Sequence, residues 1–180
     1  IPLRRKAPSE HRGGEGAEVA DLELGVFVSC AVGRGRPLVH RVGLEIRLRA
    51  ANSTEYVPAN NAVHTWTPVT GGAVASGREI VDNDTCNACH DDLVFHGGAR
   101  FDLQYCAMCH ESYSFDAQSG NSIDLKVMIH KIHSGETLPS VEAGGFYGIF
   151  GRGNTFADFS HVVYPQDKRN CTTCHEESDT

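Results

Sequence analysis

Three copies of a five-residue pattern carry the chemistry legible in this chain. They are Cys86-Asn87-Ala88-Cys89-His90, Cys106-Ala107-Met108-Cys109-His110 and Cys171-Thr172-Thr173-Cys174-His175. Cys-x-x-Cys-His is the attachment pattern of a c-type haem. The two thiols add to the porphyrin vinyl groups, and the adjacent histidine is held against the iron as an axial ligand. Zinc sites, redox dithiols and structural disulfides also use Cys-x-x-Cys, but none requires histidine directly after the second cysteine. Histidine fills 10 of 180 positions, so three such neighbours by chance would come at roughly one in 6,000. The pattern predicts three covalent haems: thioethers at Cys86, Cys89, Cys106, Cys109, Cys171 and Cys174, and proximal ligands His90, His110 and His175. Cys30 is the odd cysteine and reads as free and buried, with an intermolecular bridge as the minority reading.

The second axial ligand decides the chemistry. With two protein ligands an iron is a low-spin electron carrier; with an open position it can bind and reduce a substrate. His96 stands in His-Gly-Gly, where Gly97 and Gly98 let the backbone approach a porphyrin closely. His130 and His133, three apart on a predicted helix, point in slightly different directions and could serve two different haems. These three are the expected distal ligands, with His161 in reserve. His64 lies in a predicted strand and reads as structural, while His11 and His40 are far from the motifs in sequence, though either could reach a haem of a neighbouring subunit. Met108 lies inside a haem motif and Met128 in an apolar stripe, so methionine ligation is not expected. Asp82, Asp84, Asp91 and Asp92 are close enough in sequence to suggest a cation site such as calcium, but solvated loop carboxylates are the favoured reading.

These ligands need elements to hold them. The clearest helix runs from Ser122 to Ser134, capped by Asn121 or Ser122 and stopped by Gly135, with Leu125, Met128, Ile129 and Ile132 as its apolar stripe. Upstream the pattern is β-like. Leu24, Val26 and Val28 alternate. Val42, Leu44, Ile46 and Leu48 then alternate with Gly43, Glu45, Arg47 and Arg49, which predicts one buried and one solvated face. Tyr56-Val57 and Val63 to Trp66 read as further short strands, broken by Pro58 and an Asn60-Asn61 turn. Residues 137–169 read as loop with a turn of helix. Three strands are marginal alone, so this sheet must pack on the haem-bearing half or on another copy. The expected fold is a small β-rich amino-terminal segment, a partial split-barrel or sandwich-like sheet, joined to a haem-packed carboxy-terminal domain of short helices and loops. The divisions fall at 1–20 (irregular arm), 21–75 (β-rich) and 76–180 (trihaem domain).

A net charge of −7 and the lack of a basic stripe argue against nucleic acid, and no apolar run is long enough to span a bilayer. In bacteria, c-type haem attachment takes place outside the cytoplasmic membrane. The expected location is therefore extracellular or at the cell surface, with the periplasm as the alternative and Ile1 following a processed or truncated amino terminus.

Several runs then resemble a known family: Tyr56-Val57-Pro58-Ala59-Asn60-Asn61-Ala62-Val63, the His96-Gly97-Gly98 triplet, the stretch from Asp124 through His130 and His133 to Glu136, and the stretch from Tyr164 to His175. With the haem motifs between them, they are similar to the outer-membrane decahaem c-type cytochromes of the OmcA/MtrC type, over about residues 43–180. The resemblance implies the end of a split β-barrel domain followed by the first three haems of a pentahaem unit, with His96, His130 and His133 as distal ligands. It also implies electron transfer to other cytochromes and to extracellular acceptors such as metal oxides or shuttles. Two haems and a second half are missing relative to that pattern. The expected function is thus a trihaem conduit for electrons, either alone or as the repeating subunit of an end-to-end filament. The alternative is a multihaem reductase with one five-coordinate iron, for which Tyr164, Lys168 and Arg169 could bind an oxyanion.

Overall fold

The computed structural model describes residues 19–30, 39–50, 54, 56–74 and 80–175. Residues 1–18 of the arm expected at 1–20, with His11, lie outside these, whereas residues 19 and 20 are already strand. The side chain of Cys30, whose expected burial concerns that side chain alone, lies outside them too.

Strands β1 (Val19–Cys30), β2 (His40–Ala50) and β3 (Tyr56–Trp66) form an antiparallel sheet in the order β1-β2-β3. The alternation expected in β1 and β2 sets the register: Leu24 lies opposite Ile46, Val26 opposite Leu44 and Val28 opposite Val42. Two expectations fail here. Tyr56 to Trp66 is one strand, not two short ones. The register slips between Ile46, opposite Asn60, and Arg47, opposite Pro58. One residue bulges out, and an edge strand can accommodate a proline that has no N–H to give the ladder. The second correction concerns the faces. In β2 the buried residues are Gly43 and Glu45, on the side expected to be solvated, while Val42, Leu44, Ile46 and Leu48 are only half-buried.

The polar face is buried because it docks on the haem-motif half. A Cβ on Gly43 would stand 2.7 Å from Met108 Sδ and 2.9 Å from the Tyr105 ring, so only glycine lets that ring lie against the strand. Glu45 is 4% exposed and ion-paired to Arg100 at 2.7 Å and Arg47 at 2.5 Å. Its carboxylate also accepts a hydrogen bond from the Tyr105 hydroxyl at 3.3 Å. Periodicity sees polarity, whereas burial follows the availability of counter-charges.

Beyond the sheet the chain has helices α1 (Asn83–His90), α2 (Leu103–Cys106), α3 (Leu125–Ser134) and α4 (Pro139–Glu142). A hairpin of strands β4 (Gly148–Phe150) and β5 (Phe156–Asp158) follows in the region expected to be loop. Three-residue strands with glycine are too short to show a period. Among the described residues the buried apolar side chains are Ala99, Tyr105, Met108 and Tyr147, and no helix is long and apolar enough to cross a membrane.

Burial alone would raise the Glu45 pKa, but hydrogen bonds and charge from Arg100 and Arg47 outweigh it and hold the carboxyl below its ordinary value. A depressed carboxylate stabilises the fold above the unfolded-state pKa, and that contribution is lost as pH falls through the folded-state value. Glu45→Gln should therefore cost about 1–3 kcal/mol at pH 7. In thermal melts taken between pH 7 and pH 3, the gap to the parent protein should narrow once pH drops below the carboxylate range. A gap independent of pH would show that the Glu45 charge does not hold the sheet in place.

Candidate haem-ligand site

Each Cys-x-x-Cys-His motif sits on one helical turn, so its two sulfurs fall on one side three residues apart. The first occupies α1, capped by Asp82, whose carboxylate accepts from Thr85 N at 2.7 Å and from the Thr85 hydroxyl at 2.6 Å. That use accounts for one member of the suggested cation site. Among the described residues no group of three or more His, Cys, Asp or Glu side chains is arranged to hold a metal ion. The second motif leaves α2 and the third forms a 3-10 turn (Cys171–Thr173). These two share their bonding: Cys109 N and His110 N both donate to Cys106 O at 3.1 and 3.0 Å, and Cys174 N and His175 N both donate to Cys171 O at 3.1 and 2.9 Å. None of the six motif cysteines is in a disulfide. Burial raises Cys86 and pushes Cys106 up to about 11.

Three histidine pairs result. Ring centres lie 5.9 Å apart for His90 and His133, 6.1 Å for His96 and His110, and 6.0 Å for His130 and His175. Two bonds of about 2 Å to a metal, plus about 1.1 Å from nitrogen to ring centre on each side, add to roughly 6 Å. The spacing therefore fits an iron between each pair. His161, the reserve candidate, is exposed near Asp158, and among the described residues no ring contact joins it to a motif histidine. His64 stacks on Trp66 at 5.8 Å, and His40 lies 5.4 Å from the same ring.

The tautomers fit as well. His110 Nδ1 lies 2.8 Å from Ile123 O, His130 Nδ1 2.5 Å from Lys126 O and His133 Nδ1 2.9 Å from Ile129 O. A carbonyl only accepts, so each Nδ1 carries the proton and leaves Nε2 with a free lone pair. Desolvation, followed by the charges of Arg100 and His110, lowers His96, and desolvation, followed by His133, lowers His90. Both therefore favour the neutral, ligating form. His175 Nδ1 is buried without a partner.

Helix α3 presents both His130 and His133. It starts one turn later than expected. The cap is Asp124, whose carboxylate accepts from Lys126 N at 3.2 Å, while Ser122 Oγ accepts from Asp124 N. A carboxylate outcompetes a hydroxyl for the positive helix end. Gly135 stops the helix as expected, at φ +26°. Tyr164 stands edge-on to His133, ring centres 5.7 Å apart, and also interacts with Cys174. The sequence offered it only as an anion-binding group of the reductase alternative, because an aromatic some thirty residues from α3 has no spacing signal that ties it to His133. The other two groups suggested for anion binding are engaged elsewhere: Lys168 contacts the Thr137 hydroxyl, and Arg169 pairs with Asp167 at 2.6 Å.

The family model described as outer membrane cytochrome MtrC/MtrF-like, domains II/IV, matches residues 78–180. The multiheme cytochrome MtrC of Shewanella baltica (strain OS185) is 40% identical over 89 residues, which cover 48% of this chain. The chain spans only 13% of that relative's length. No solved structure matches it.

A Cβ on Gly135 would fall 2.3 Å from Val162 O and 2.8 Å from Phe159 O, both backbone atoms. Gly135→Ala should therefore lower stability by about 2 kcal/mol or more, measured by denaturant titration. An unchanged midpoint would mean that the end of α3 is not pinned by the 159–162 segment.

Proposed function

The chain belongs to the family of MtrC/MtrF-like outer-membrane cytochromes, and from that premise we propose that it conducts electrons through three bis-histidine c-type haems. Each haem, when bound, supplies a one-electron ferric/ferrous couple. The observation that carries the reading is the pairing of every motif histidine with one other histidine at about 6 Å: His90 with His133, His110 with His96, and His175 with His130. Cys86, Cys89, Cys106, Cys109, Cys171 and Cys174 form the thioethers. His90, His110 and His175 ligate on the proximal side, and His133, His96 and His130 complete the coordination. With both axial positions filled by protein, small molecules are excluded from the irons, so electron transfer is favoured over substrate reduction.

The histidines of α3 hold two sites at a fixed separation. His130 and His133 are one turn apart, and Cys86 and Cys174 lie close enough for their charges to interact. Tyr164 contacts both His133 and Cys174. The first and third sites are thereby neighbours in space although most distant in sequence. The scarcity of buried apolar side chains among the described residues supports porphyrins as the core of residues 76–180, with 21–75 as a packed sheet. Family membership supports a place at the cell surface. The partners proposed are other cytochromes, a second copy of this chain in an end-to-end assembly, and extracellular acceptors such as metal oxides or shuttles.

The ring planes give the test its detail. They cross at 73° for His90 and His133, 43° for His96 and His110, and 14° for His130 and His175. Crossed axial imidazoles give a highly anisotropic low-spin EPR signal, and coplanar ones a rhombic signal. With haem and iron quantified, the oxidised protein should show three low-spin haems per chain of three different anisotropies, none responding to cyanide. His133→Ala should abolish the most anisotropic signal and His130→Ala the most rhombic. A stoichiometric high-spin haem that binds cyanide or nitrite in the unmodified protein would instead establish the reductase alternative.

A further inference from the structure

His96 differs from the two other proposed distal ligands in having no helix to hold it. It sits at φ +54° and is followed by Gly97 at +81° and Gly98 at +86°. Phe95 and Arg100 close the turn, with Phe95 N donating to Arg100 O at 2.8 Å and Arg100 N to Phe95 O at 3.2 Å. A left-handed backbone is unfavourable at a non-glycine residue, so it persists only where the surroundings over-determine it.

What surrounds it is the sheet. Asn61 of β3 is 7% exposed; one bond of its amide stays in the strand, Nδ2 donating to Asn60 O at 3.0 Å, and the others reach residues 99–102. Its Nδ2 donates to Ala99 O at 2.9 Å, and its Oδ1 accepts from Phe101 N at 2.9 Å and Asp102 N at 3.3 Å. Ala99 is fully buried. Directly opposite Asn61 in the register is Glu45, which grips Arg100 of the same turn and the hydroxyl of Tyr105. Tyr105 immediately precedes the motif that carries His110. Two adjacent sheet residues therefore hold both sides of the second site: Asn61 the backbone behind His96, and Glu45 the approach to His110.

We propose that Asn61 is the positioning residue for the His96–His110 pair, so that the β-sheet controls ligation of the second haem while α3 controls the first and third. This rests on the ligand assignment made under Proposed function. Without the amide, the turn loses its bond at Ala99 O and the two bonds at Phe101 N and Asp102 N that fix the chain leaving it, and with them the restraint on its strained residue. His96 then withdraws, and the iron held by His110 becomes five-coordinate.

The test uses the full haem-loaded chain, with absorption spectra, low-temperature EPR and haem content. In Asn61→Ala, one of the three low-spin signals should be replaced by a high-spin haem. It should be the same signal that His96→Ala removes, and added imidazole should restore it. The double variant should look like His96→Ala alone. If Asn61→Ala does not mature with three haems, Asn61→Leu keeps the volume and removes only the polar contacts, with the same outcome expected. Three unchanged low-spin signals, or loss of a different signal from the one lost in His96→Ala, would overturn the role of Asn61. A high-spin haem already present in the unmodified protein would overturn the ligand assignment itself, and this inference with it.

Discussion

Three pairs of imidazole rings stand with their centres 5.9–6.1 Å apart, and much of the carboxy-terminal half can be understood as what is needed to keep them there. The separation leaves room for a metal and its two bonds to nitrogen. Holding it demands fixed ring positions, and the chain fixes them with backbone carbonyls: Ile123, Lys126 and Ile129 each accept from a histidine Nδ1. Asp124 and Gly135 delimit α3 so that His130 and His133 fall one turn apart. The three motifs use the shortest helical units that put two cysteines on one side. Few buried apolar side chains are needed for any of this, because the restraints are hydrogen bonds, caps and glycine contacts.

The sheet is joined to this half by charge and shape. Glu45 is buried against its half-buried counter-ions Arg47 and Arg100, which compensates the desolvation of its carboxylate. Gly43 supplies the close approach and Asn61 the directional contacts. A buried ion pair contributes little net stability against an apolar substitute, but it specifies geometry, since only one docking angle satisfies Glu45, Tyr105 and Asn61 together.

Spacing marked out the residues of the proposed site. Cys-x-x-Cys-His is a local pattern whose meaning survives without knowledge of the fold, and His130 and His133 follow from helical period. The identity of the pairs was not legible, because it depends on how α3 crosses the first and third motifs, a matter of packing between segments some forty residues apart. The alternation in β1 and β2 gave the register but not the buried side. Polarity pointed outward for Glu45, and its partners Arg100 and Tyr105 lie 55 and 60 residues away. The β4–β5 hairpin left no trace in the sequence, since three residues cannot show a period of two.

The family match begins at residue 78, and composition shifts at nearly the same place, which together suggest a sheet followed by an independent haem unit. The contacts argue for a tighter relation. Asn61 and Glu45 lie outside the matched segment, yet they make the bonds that hold Ala99, Arg100 and Phe101 inside it. A boundary drawn at residue 76 would cut through the support of His96 while leaving α3 and its two ligands whole. Removal of the sheet should therefore not scale all three sites down equally. It would strip the restraint from one and leave two standing, which on the proposed ligand assignment makes the sheet part of the second site as well as a neighbour to it.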